Sequence, residues 1–186
     1  DAVAAFFATV YAGGFYSVLN TELPQNRLQT TVSVLNPKVI VTSESLLETA
    51  KEYFPERKIV TFEDLAKSEP DYAKLGEIRN HKIDTDPLYI NFTSGSTGTP
   101  KGIVVCHRSV IDFIDHFTEI FGIDNNDVIA NQAPFDFDVS VKDIYSAVKT
   151  GATLVVVPRR MFSAPAELID FICDRRITVM IWAVSA

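Results

Sequence analysis

The stretch LYINFTSGSTGTPKGIVVCH, residues 88–107, decides the fold. Its ends, LYINFTS and GIVVCH, are rich in β-branched and aromatic residues and read as two buried strands. Between them Gly95, Gly98 and Gly102 permit a tight turn and close backbone approach. A loop at the end of a strand is where open α/β sheets hold ligands. Backbone N–H groups and the hydroxyls of Thr93, Ser94, Ser96, Thr97 and Thr99 suit phosphate oxygens, and Lys101 adds a point charge. From Pro87 to Ile111 there is no Asp or Glu, whereas Lys101 and Arg108 are both present. An anion site is the economical reading. A flexible Gly/Ser linker has similar composition but is not flanked this tightly by strands. A Walker A loop is disfavoured, because it needs a hydroxyl residue directly after its lysine. Here Pro100 precedes Lys101 and Gly102 follows it.

Outward from the loop, strand-like and helix-like segments alternate. FYSVL (15–19), KVIVTS (38–43), KIVTF (58–62), VIANQA (128–133), ATLVVVP (152–158) and ITVMIW (177–182) read as strands. LPQNRLQTTVSVLN (23–36), SLLETAKEYF (45–54), VSVKDIYSAVKTG (139–151) and PAELIDFICDRR (165–176) read as helices. SVIDFIDHFTEIFG (109–122) is the clearest helix, with an apolar stripe of Val110, Ile111, Phe113, Ile114, Phe117, Ile120 and Phe121. Residues 68–87 are polar, contain Pro70 and Pro87, and read as an irregular connector. Such alternation implies an α/β fold of layered, largely parallel β-sheets flanked by helices, in two lobes of about 1–85 and 86–186.

Composition narrows the function classes. The chain has 186 residues, 47% of them hydrophobic, so it can build a substantial core. A net charge of -7 argues against nucleic acid as the main partner. Cys106 and Cys173 are far apart and lack partners at ligand spacing, so neither a disulfide framework nor a metal site is expected. The apolar start, Ala2 to Leu19, has no basic flank and is split by Gly13-Gly14. It reads as a helix, a turn and a strand, without membrane insertion. Cytoplasmic residence is the expectation.

Three stretches together carry a resemblance. YINFTSGSTGTPKG (89–102) strongly resembles the phosphate-loop signature of the adenylate-forming, or AMP-binding, superfamily. YAGGFYSVLNTELPQNRL (11–28) looks like that family's earlier segment, although Asn20 and Thr21 stand where an Asp-containing turn is common. NQAPFDFDVSVKDIY (131–145) resembles the Phe-Asp-x-Ser segment of its amino-acid-activating members. That last stretch is most similar to D-alanine–carrier-protein ligases, with adenylation domains of nonribosomal peptide synthetases as close rivals. The resemblance covers essentially the whole chain and identifies it as part of the large N-terminal domain. The C-terminal domain and the later family motifs are expected to lie beyond it.

The resemblance implies a two-step reaction with ATP and Mg²⁺. A carboxylate attacks the α-phosphate, pyrophosphate leaves, and the acyl group then passes to a phosphopantetheine thiol on a carrier protein. Thr93, Ser94, Gly95, Ser96, Thr97, Gly98, Thr99 and Lys101 would cradle the phosphates, with Thr93 and Lys101 as the catalytic candidates. Asp138 would pair with the α-ammonium of an amino acid substrate, since a buried charge needs a partner. Its competing role is helix N-cap before VSVKDIYSAV. Val139, Lys142 and Ile181 would line the side-chain end of the pocket. No protein-held metal is expected. An acyl-CoA synthetase acting on a fatty or aryl acid, and a nucleotide-binding module without ligase activity, are the alternatives.

Overall fold

The computed structural model describes residues 1–93 and 100–182. The chain divides into two compact units, Asp1–Cys106 and His107–Ala186. The division falls later than residue 85 because the strands flanking the glycine-rich loop join the preceding chain. Tyr16 is the link: its N–H donates to the Leu88 carbonyl (3.3 Å), and the Ile90 N–H donates to the Tyr16 carbonyl (2.9 Å).

In the first unit, α1 (Ala2–Tyr11) is followed by a turn that brings the Tyr16 ring flat against Phe6, centroids 4.3 Å apart. The FYSVL segment supplies only this single bridge, Tyr16 to Tyr89, and no full strand. Helix α2 (Gln25–Leu35) begins directly after Pro24, whose fixed φ suits a helix start. Strands β1 (Ile40–Thr42) and β2 (Ile59–Thr61) pair in parallel, with α3 (Leu47–Tyr53) on the connection. Leu28, Val32, Ile40 and Phe54 form the core there. Thr61 then caps α4 (Phe62–Ala66), accepting a hydrogen bond from the Asp64 N–H at 3.1 Å.

The polar connector contains a helix that composition concealed, α5 (Tyr72–His81). Asp71 caps it, accepting from the Lys74 N–H at 3.0 Å. Within it only Leu75 and Ile78 are even half-buried, so the segment has almost no apolar periodicity to read.

Strands β3 (Pro87–Thr93) and β4 (Lys101–Cys106) form an antiparallel hairpin. This pair runs against the parallel expectation, and the short connection explains why. Parallel neighbours need a crossover of about a dozen residues or more, whereas antiparallel ones need only a turn. A Cβ at Gly102 would lie 3.0 Å from Ile90 Cγ2 and 3.4 Å from the Phe92 ring, so this glycine is where the hairpin closes tightly.

The second unit is a βαβ core. Helix α6 (His107–Phe121) precedes β5 (Val128–Asn131), α7 (Val139–Thr150) and β6 (Thr153–Val156), and β5 and β6 pair in parallel. Gly151 ends α7 in the left-handed region at φ +78°, which favours glycine. After α8 (Pro165–Asp174), the chain returns beside β5, where the Ala130 N–H donates to the Val179 carbonyl at 2.9 Å. Val179 makes an isolated parallel bridge to Ile129, less than the strand expected of ITVMIW. Ile123, Ile129 and Ala147 are buried together, with Leu154 and Val179 against them. Lys149 ties α7 to α6, its Nζ 2.7 Å from the Asp115 carboxylate and 2.9 Å from Thr118 Oγ1. Of the expected α6 stripe, Val110 and Ile114 are buried, while Ile111, Phe113, Ile120 and Phe121 remain exposed. The architecture is mixed α/β, with helices flanking small sheets, and among the described residues two of the three strand pairs are parallel.

Candidate active site

The glycine-rich loop leaves β3 at Thr93 and returns at Lys101, and these two residues are direct partners across the hairpin. Register therefore sets a hydroxyl and an ammonium side by side at the loop's mouth. Both residues are exposed, and among the described residues neither side chain has a partner. Ser94, Gly95, Ser96, Thr97, Gly98 and Thr99, the remaining phosphate-loop candidates, lie outside the described residues.

The amino-acid candidates gather in the second unit, at the carboxyl end of β5, where parallel sheets bind ligands. β5 ends at Asn131, and Asp138 follows at the start of α7. Asp138 occupies the N-cap position with φ −59° and ψ −26°, already helical, and its carboxylate makes no capping bond. The capping role is thus not taken up. The nearby Ser140 hydroxyl instead donates to the Phe137 carbonyl at 2.8 Å. Asp138 is exposed, and among the described residues its carboxylate has no partner. Val139 beside it is exposed too.

Lys142, one turn further on, is almost fully buried. Its Nζ donates to Asp143 Oδ1 at 2.6 Å, and Asp143 Oδ2 accepts from Asn131 Nδ2 at 3.0 Å. Burial pushes the Asp143 carboxyl above its ordinary range, and the Lys142 and Asn131 bonds offset part of that rise. Ser146, the next residue along the same helix face, is fully buried, and its hydroxyl has no partner among the described residues. Sequence reasoning had not singled out Asn131, Asp143 or Ser146. The available signal was an adjacent Lys-Asp pair inside VSVKDIYSAV, a helix set between two buried strands.

Ile181 is half-buried, and its neighbour Trp182 fixes the segment, donating from Nε1 to the Ala130 carbonyl at 3.0 Å. The Trp182 ring packs edge-on against Phe162 at 5.3 Å. Ala130 precedes Asn131 on β5, so one strand end links the Ile181 segment to the α7 cluster. His81 and His116 are exposed on helix surfaces, each ring nitrogen 2.8 Å from a carbonyl one turn back. Among the described residues no three His, Cys, Asp or Glu side chains converge on a metal position. No helix among them is long and apolar enough to cross a membrane.

Comparison with known proteins matches residues 1–185 to the family described as "AMP-binding enzyme". D-alanine–D-alanyl carrier protein ligase of Staphylococcus aureus (strain MRSA252) is 30% identical over 181 residues, covering 96% of this chain. This chain spans 35% of that protein's length, about a third. A Vibrio cholerae adenylation domain, AlmE, solved with glycyl-adenosine-5'-phosphate, aligns with a TM-score of 0.73 at 25% identity, over 95% of this chain and 37% of that one. McyG A-PCP, solved with phenylalanyl-adenylate, aligns with a TM-score of 0.78 at 18% identity, over 94% of this chain and 29% of that one. That last likeness concerns the fold.

Proposed function

Since the chain belongs to the AMP-binding enzyme family of adenylate-forming ligases, we propose that it is the N-terminal-domain part of a longer cytoplasmic ligase that activates an amino acid. The ligase forms an aminoacyl-adenylate from ATP, releases pyrophosphate, and passes the aminoacyl group to a carrier-protein phosphopantetheine thiol. The observation that carries this reading is the Asp138 carboxylate, exposed and unpartnered among the described residues at the carboxyl end of β5. A carboxylate so positioned suits the α-ammonium of an amino acid. A fatty or aryl acid offers it no counter-charge.

Each part of the chain has its task. Thr93 and Lys101 bind phosphate oxygens from opposite sides of the hairpin mouth, and Lys101 balances charge on departing pyrophosphate. Ser94, Gly95, Ser96, Thr97, Gly98 and Thr99 complete that cradle. Asp138 orients the substrate by its α-ammonium. Val139 and Ile181 wall the side-chain end. Mg²⁺ would arrive with the phosphates of ATP and offset their charge.

The test is substrate-dependent exchange of pyrophosphate into ATP by the full ligase, across amino acids and fatty and aryl acids. Exchange with an amino acid is the expected outcome. Exchange only with acids lacking an α-amino group would reject the amino-acid assignment and favour an acyl-CoA synthetase.

A further inference from the structure

Asp138 and Lys142 stand four residues apart at the start of α7, with the acid N-terminal to the base. That is the spacing and the order in which a helix most readily forms an intrahelical ion pair. The pair is not made. Lys142 gives its ammonium to Asp143, its sequence neighbour, at 2.6 Å, and Asp143 is held on its other oxygen by Asn131. Both members of this alternative pair are buried, their side chains 10% and 3% exposed. Even a matched buried pair is often no more stabilising than apolar residues of the same size, so the arrangement needs a reason beyond stability. Asp138 meanwhile keeps a carboxylate without a partner among the described residues, one turn away from a lysine.

We propose that Asp143, braced by Asn131, is a positioning residue that diverts Lys142 from Asp138 and so keeps Asp138 open for a cationic substrate group. The proposal rests on the assignment of Asp138 to the substrate α-ammonium. When Asp143 no longer holds it, the Lys142 ammonium swings to Asp138 and occupies the place of the substrate's own. The effect is competitive: it raises KM for the amino acid and leaves kcat nearly unchanged, because a bound substrate has already displaced the lysine. A merely structural role for the cluster would lower the amount of active enzyme and leave KM alone.

Amino-acid-dependent pyrophosphate exchange is measured on the full ligase for wild type, Asp143→Asn, and Asp143→Asn with Lys142→Met. The single variant should raise KM about fivefold, the penalty of one ion pair at the upper end of the exposed range. The double variant should bring KM back toward wild type, since Met keeps the stem and lacks the charge. An unchanged KM in Asp143→Asn, or a raised KM that Lys142→Met does not relieve, overturns the proposal. If Asp143→Asn does not fold, Asn131→Ala gives the same comparison in milder form. It should raise KM by a smaller factor with kcat nearly unchanged, and no rise overturns the proposal. Asp138→Ala with a wild-type KM would instead reject the assignment of Asp138 on which the proposal rests.

Discussion

Two lysines divide this molecule's chemistry. Lys101 opens β4, exposed and unpartnered among the described residues, opposite Thr93. Lys142 lies inside α7, buried and clasped by Asp143. One residue type serves both places because the surroundings decide what the ammonium does. At the hairpin mouth water keeps the charge inexpensive, so the ammonium stands exposed without a counter-ion among the described residues. In the second unit desolvation makes an unmatched charge untenable, so the lysine comes with its counter-ion. An exposed, unclaimed charge and a buried, matched one are therefore separated, each lysine holding one.

The sharpest way to break this comparison is to remove one half of the buried pair. Lys142→Met leaves Asp143 buried and unmatched, and should cost about 3–5 kcal/mol in urea unfolding. Replacing both, Lys142→Met with Asp143→Leu, should recover most of that. Equal losses in the single and double variants would mean the pair is not a closed electrostatic unit. Next in size is Lys101→Ala. Its unfolding midpoint should match wild type, while exchange by the full ligase falls by about 100-fold, the typical loss of one transition-state donor. A variant that unfolds early would make Lys101 structural and erase the contrast.

Smaller effects sharpen the picture. Gly102→Val inserts atoms where even a Cβ would sit 3.0 Å from Ile90, and should cost about 1–3 kcal/mol. That loss would separate the hairpin's packing from the charge of the lysine beside it. The smallest expected effect is in pH. Because the Asp143 carboxyl titrates above its ordinary range, its contribution is fully present below that range. It is lost as pH rises through the folded-state value. Unfolding of wild type against Asp143→Asn should show wild type losing relative stability as pH rises over that interval. A flat difference would mean that Lys142 and Asn131 fully offset the burial.

The sequence carried the alternating α/β pattern because most of its elements have an apolar face to declare. Helix α6 is plain from Val110, Ile114 and Phe117, and the hairpin strands from LYINF and GIVVC. Helix α5 escaped notice because almost nothing in it is buried, leaving Asp71 as its one local signal. FYSVL and ITVMIW have strand composition, yet each makes a single bridge, since a strand's extent depends on neighbours that local pattern does not contain. At the candidate site, Thr93, Lys101 and Asp138 were legible as motif residues. The clasp of Lys142 was not, because Asn131 reaches Asp143 across the loop between β5 and α7, a contact that spacing alone does not declare.

The central claim is that Asp138 receives the substrate ammonium. The most direct measurement compares pyrophosphate exchange by the full ligase on the preferred amino acid and on its desamino analogue, in wild type and in Asp138→Ala. A strong preference for the amino acid in wild type, abolished in the variant, is the predicted result. A preference that survives Asp138→Ala would contradict the account, because some other group would then be reading the ammonium.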